Sequence, residues 1–110
     1  MDVSIETTGD VTVIRLIGSL DARSVNGFRD QISPLIAAGQ ARFVVDAAGL
    51  RFVDSTGLGA LLYLRRYARQ GKGDVRLASA GRELTELLHI SGLKTIFEVL
   101  PDVPTALARF

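Results

Sequence analysis

The run Arg42-Phe43-Val44-Val45-Asp46 constrains the fold more than any other segment. Three consecutive large apolar residues bounded by charges suit a strand buried on both faces, and such a strand is the usual centre of a parallel sheet. Parallel neighbours are joined by crossovers, mostly helices, which then cover the sheet. The segments on either side of this run must therefore supply helices.

They do. Before the run, Val3 and Ile5 alternate with polar neighbours, Gly9-Asp10 offers turn chemistry, and Val11, Val13, Arg15 and Ile17 share one face while Ile14 and Leu16 share the other. This alternation predicts a β-hairpin. After Gly18, residues Val25, Phe28, Ile32, Leu35 and Ile36 recur at spacings of three and four, which predicts a helix from about Ala22 to Ala38. Pro34 inside it removes one backbone hydrogen bond at a cost of about 3 kcal/mol, so a kink or an early helix end is expected.

Beyond the run, Ala47-Ala48-Gly49 reads as its close, and Phe52-Val53 leads into Asp54-Ser55-Thr56-Gly57. Leu58, Leu61, Leu62 and Arg65 mark the inner edge of a second helix ending near Gly71. Asp74 to Ser79 predicts a strand, Leu84, Leu87 and Leu88 a third helix that Gly92 terminates, and Ile96 to Val99 a last strand. Asp102 can cap a short final helix with Pro104 in its first turn. The order β-β-α-β-α-β-α-β-α belongs to the α/β class, with a mixed, mainly parallel β-sheet and packed α-helices. No repeat, linker or low-complexity tract divides the chain, so residues 1–110 are read as one domain.

Several classes of function find little support. Thirteen basic and twelve acidic residues leave a formal charge of +1, which offers no overall field for nucleic acid or anionic lipid. There is no cysteine, and the single His89 has no companion for a metal site, so neither a metal nor a cofactor is expected. No run approaches the ~20 apolar residues of a membrane span, and the first residues lack an export pattern, which points to a cytoplasmic protein. Gly57-Leu58-Gly59 lacks the third glycine of a dinucleotide fingerprint, and no Gly-x-x-x-x-Gly-Lys-Ser/Thr loop occurs. The basic stretch Arg65, Arg66, Arg69, Lys72 and Arg76 around Tyr67 is interrupted by Asp74 and reads as a solvated face able to attract an acidic partner.

The segment Asp54-Ser55-Thr56-Gly57-Leu58-Gly59 places two hydroxyls where a strand-like segment meets a helix start, a position of unpaired amides and positive potential. Asp54 or Ser55 can serve simply as an N-cap, with the glycines permitting a tight turn. The same geometry can hold a hydroxyl out to an incoming kinase, the helix amides then accommodating the phosphate. Each glycine costs roughly 0.8 to 1 kcal/mol in a helix interior, and close approach by another chain is one reason to bear that cost.

Gly18-Ser19-Leu20-Asp21 after a strand, Asp46 ending the next, Asp54 to Gly59 opening a helix, and Ser91-Gly92-Leu93 near the end together resemble the STAS domains of bacterial anti-sigma factor antagonists. The resemblance covers almost the whole chain. It implies that the serine after the aspartate, Ser55, is the phosphorylation site, and that the unmodified protein binds an anti-sigma factor, itself an ATP-dependent serine kinase, and so releases a sigma factor. It leaves room for a phosphatase that restores the hydroxyl. Asp21 matches the aspartate of the family's Gly-Glu-Leu-Asp segment, which contributes to partner recognition, whereas Ser19 departs from the usual glutamate. Ser19, Asp21, Asp54, Thr56, Gly57 and Leu58 are thereby expected to bind the partner, which would also supply ATP and catalysis. Two other readings stay open: a non-switching STAS subunit of a lipid-transport or stress-sensing assembly, with Ser55 as a cap, and a small hydrolase with Ser55 as nucleophile, for which no base is evident. No oligomeric state follows from the sequence.

Overall fold

A computed structural model describes residues 1–110. Nine elements follow in the expected order: β1 (Asp2–Thr8), β2 (Val11–Leu20), α1 (Val25–Ala37), β3 (Arg42–Val53), α2 (Ser55–Gln70), β4 (Asp74–Ala78), α3 (Arg82–Ile90), β5 (Glu98–Leu100) and α4 (Val103–Ala108). The strands lie side by side in chain order, β1 antiparallel to β2 and every later pair parallel. Phe43, Val44 and Val45 are fully buried in the middle strand, as their run of apolar side chains requires.

The pleat sends alternate residues to two cores. Ile14, Leu16, Leu20, Phe43, Val45 and Leu77 meet Phe28 and Ile32 of α1, Leu61 and Leu64 of α2, and Leu84 and Leu88 of α3. Val11, Val13, Val44 and Ala78 point the other way and are covered by Ala106 of α4. Three helices therefore pack on one face, and the small final helix is the cover on the other. On that second face Arg15 and Asp46 sit opposite each other in register, and the Arg15 Nε donates to Asp46 Oδ2 at 2.8 Å.

Four local expectations change. Ala47-Ala48-Gly49 does not close the central strand, and Asp46 does not end it: β3 continues to Val53, pairing with β2 through two register shifts, between Arg15 and Ile17 and between Gly18 and Ser19. The small residues fit because a Cβ on Gly49 would lie 3.0 Å from Ile17 Cγ1, while buried Leu50 and Val53 hold the extension to the core. Helix α1 begins at Val25, not about Ala22, since Asp21 Oδ1 accepts from the Arg23 and Ser24 amides and holds them in a turn. The same helix runs through Pro34 to Ala37 without the early end expected there. The last strand is Glu98–Leu100, shifted from Ile96–Val99, with Phe97 turned into the core. Gly92, at φ 75°, ends α3 as expected, and Asp102 caps α4.

Candidate functional site

The Leu20 carbonyl is where the two conspicuous segments of the sequence meet. It accepts a hydrogen bond from the Asp54 amide at 3.3 Å, and Leu20 pairs with Val53 at the end of the β2–β3 ladder. The loop that leaves β2 and the helix that follows β3 thus emerge side by side at the carboxyl ends of these parallel strands. In open α/β sheets that edge is the usual place for ligands and partners.

Asp54 is the N-cap of α2: its backbone is extended and its Oδ1 accepts from the Gly57 amide at 2.8 Å. Ser55 and Thr56 occupy the first two helical positions, both exposed. Their amides precede the reach of the intrahelical ladder, so they stay available to an acceptor. Beyond the Asp54 cap itself, no acidic residue occupies the first turn of α2. The arrangement presents a hydroxyl to solvent beside donors that can receive an anion.

The facing loop is held by its own side chains. Asp21 Oδ1 accepts from the amides of Arg23 (3.0 Å) and Ser24 (3.3 Å), while Ser24 Oγ accepts from the Asp21 amide (3.0 Å) and donates to the Ser19 carbonyl (2.7 Å). Ser19, Asp21 and Ser24 are half-buried along a cleft of about 430 Å³ that Met1, Val3 and Phe28 also line.

Of the residues expected to meet a partner, Ser19, Asp21, Asp54, Ser55 and Thr56 reach the surface here. Gly57 and Leu58 do not. Both are buried, Leu58 at 4% exposure within the main core, and a Cβ on Gly57 would stand 2.1 Å from the Leu20 oxygen. The expectation of partner contact at these two residues is therefore corrected: the chain that approaches Gly57 closely is its own β2. Their task is to seat the helix start.

Sequence reasoning missed Ser24, which ties Ser19 to Asp21. The available signal was a serine three residues after an aspartate, the spacing of side-chain-closed turns. It also missed Phe52, one residue before the buried Val53 and 45% exposed. Only the length of β3, which the small residues concealed, reveals that orientation. His89 lies exposed on α3, a separate element from the Ser55 helix.

A family model described as the STAS domain matches residues 2–106. The anti-sigma F factor antagonist of Lysinibacillus sphaericus is 32% identical over 78% of this chain and 74% of its own length. Among solved structures, the anti-sigma factor antagonist SpoIIAA in its unphosphorylated form superposes with a TM-score of 0.86 at 27% identity, covering 98% of this chain and 95% of the other. The phosphorylated form of the Bacillus cell fate determinant SpoIIAA does so with a TM-score of 0.79 at 27% identity, over 98% of each chain. These relatives are named anti-sigma factor antagonists, and the chain belongs to the STAS domain family.

Proposed function

We propose that this protein is a cytoplasmic anti-sigma factor antagonist whose unmodified form binds an anti-sigma factor with serine kinase activity, releasing a sigma factor, and that phosphate on Ser55 ends the binding. The observation that carries the reading is the exposed Ser55 hydroxyl at the first position of α2, beside the Asp54 cap and across the Leu20 carbonyl from the Asp21 loop. A relative of the same fold has been solved with and without phosphate.

Phosphorylation adds about −1.5 to −2 charge and three acceptor oxygens at Ser55. Two like unit charges ~4 Å apart repel by about 1 kcal/mol in water and by ~4 kcal/mol at an effective dielectric near 20. A surface fitted to a neutral hydroxyl loses affinity on that scale without any refolding. Ser19, Asp21, Asp54 and Thr56 frame the hydroxyl as recognition residues. In this reading ATP and the transfer chemistry belong to the partner, and a phosphatase restores the hydroxyl.

The test is incubation with the partner kinase and ATP, followed by intact mass, site mapping and binding measurements on the wild type and Ser55→Ala. One added phosphate confined to Ser55, with binding lost, is the expected result. Binding that persists unchanged after Ser55 is modified would sink the switch.

A further inference from the structure

The outward face of α2 continues from Ser55 and is unusual in three ways. Gly59 stands one turn beyond Ser55, and a Cβ placed on it would meet nothing within 4 Å. Its cost of roughly 0.8 to 1 kcal/mol in a helix interior is therefore not explained by packing within the chain. Farther along, Tyr63 and Tyr67 lie partly exposed with ring centroids 4.9 Å apart, Arg29 of α1 stands over Tyr63 at 5.1 Å, and Arg66 stands over Tyr67 at 5.9 Å.

The same face also carries cations that no carboxylate of the fold engages. Arg65 and Arg69 share Asp74, and Arg76 shares Glu98 with Arg109, so these guanidinium groups already have a carboxylate partner within the fold. Arg29 and Arg66 take part in none of the seven ion pairs, although both are exposed. Two arginines held on aromatic faces, next to a bare stretch of helix backbone, combine the residue types most enriched where proteins anchor partners.

We propose that this face, from Ser55 through Gly59 to Arg66, flanked by Tyr63 and Arg29, is the remainder of the docking surface and receives a carboxylate-bearing segment of the partner protein. The inference rests on the proposed function and gives it a chemical cause. A segment rich in carboxylates finds two unpaired guanidinium groups on this face and close backbone approach at Gly59. Phosphate on Ser55 then adds negative charge on the very stripe that segment occupies. Nucleic acid fits less well, because only two unpaired cations lie here, Asp30 adjoins Arg29, and the net charge is +1.

The experiment titrates the full chain by calorimetry with the anti-sigma factors bearing serine kinase domains encoded in the same genome, each purified and tested in turn. The variants are Arg29→Glu/Arg66→Glu, the milder Arg29→Gln/Arg66→Gln, Ser55→Asp, and Lys94→Glu as an exposed control after α3. Charge reversal should weaken binding at least tenfold and neutralisation by less, with wild-type affinity falling as salt rises, while Lys94→Glu stays within about twofold. Melting temperatures of the two arginine variants separate lost contacts from lost fold. If both arginine variants bind within twofold of the wild type while Ser55→Asp does not bind, the inference falls and the proposed function stands. If no anti-sigma factor binds the wild type, both fall together. Binding of a DNA duplex that the arginine pair controls would also overturn the inference.

Discussion

Gly57 lies against Leu20 so closely that an added Cβ would sit 2.1 Å from the Leu20 carbonyl oxygen and 3.0 Å from its Cγ. Gly59, two residues on, faces open space. The two glycines of one motif therefore predict opposite outcomes. Gly57→Ala forces α2 away from β2 and should destabilise the fold by about 1–3 kcal/mol, the usual scale of overpacking. Gly59→Ala should stabilise it by about 1 kcal/mol through helix propensity, while weakening partner binding. Urea unfolding of the two variants beside the wild type checks the signs, and equal destabilisation by both would refute the assignment.

Ser24 Oγ bridges the Asp21 amide and the Ser19 carbonyl, so it shapes the recognition loop from behind. Ser24→Ala should cost about 1 kcal/mol of stability, the net worth of a typical hydrogen bond, and should lower partner affinity even though Ser24 presents no charge to the partner. Ser24→Thr keeps the hydroxyl and should retain most of both. Parallel denaturation and binding curves decide the point. Full affinity in a Ser24→Ala protein with a loosened loop would mean that loop order is irrelevant to recognition.

Removing the α2 cap makes a separate test of the site. Asp54→Ala leaves the Gly57 amide without its acceptor and should destabilise the protein by about 1 kcal/mol. Asp54→Asn, another good cap, should recover most of that loss. A kinase assay on these two proteins then separates a cap from a recognition residue: phosphorylation of Ser55 in Asp54→Asn at the wild-type rate would leave Asp54 with the structural role alone.

The strands and helices were legible wherever one residue pattern served one purpose. Phe43-Val44-Val45 announced a buried strand, and Asp102 with Pro104 announced a helix start. The pattern misled where small residues served packing instead of turning. Ala47-Ala48-Gly49 carries the chemistry of a strand end, yet the strand runs on because Gly49 lets Ile17 and the Leu16 carbonyl come close. Gly57 is a similar case, since its neighbour is 37 positions earlier in the chain and periodicity within α2 cannot reveal it. Ser55 was legible as a residue at a helix start because Asp54 and the glycines mark that junction, whereas the commitment of Arg65 and Arg69 to Asp74 required the strand register.

Pro34 occupies an interior position near the end of α1, exposed to solvent, where a preceding carbonyl loses the amide it would otherwise receive. Pro34→Ala restores that donor and should raise stability by about 1–3 kcal/mol, the upper end being the propensity difference and the lower end allowing for the freer unfolded chain. Thermal unfolding measures it. A lower melting temperature in Pro34→Ala would show that the proline stabilises α1 as it stands.

Acid should loosen the α4 side of the sheet first. The Arg109 guanidinium donates to Glu98 at 2.6 and 3.2 Å and holds its carboxyl below the usual range, against a smaller opposing effect of burial. Asp102 is held down in the same direction by its hydrogen bonds from Thr105. For a carboxylate whose folded pKa is depressed, the stabilisation is complete above the unfolded pKa and is lost as pH falls through the folded one. The ordinary values for these two groups are 4.5 and 3.8, so their contribution to stability should be complete above about pH 5.5 and be lost progressively as pH falls below about 5. Glu98→Gln/Asp102→Asn should be less stable at pH 7 and show a shallower decline in acid. Hydrogen exchange at Thr105 and Ala106 against pH locates the loss, and identical acid slopes in the wild type and the double variant would remove these two carboxylates as its cause.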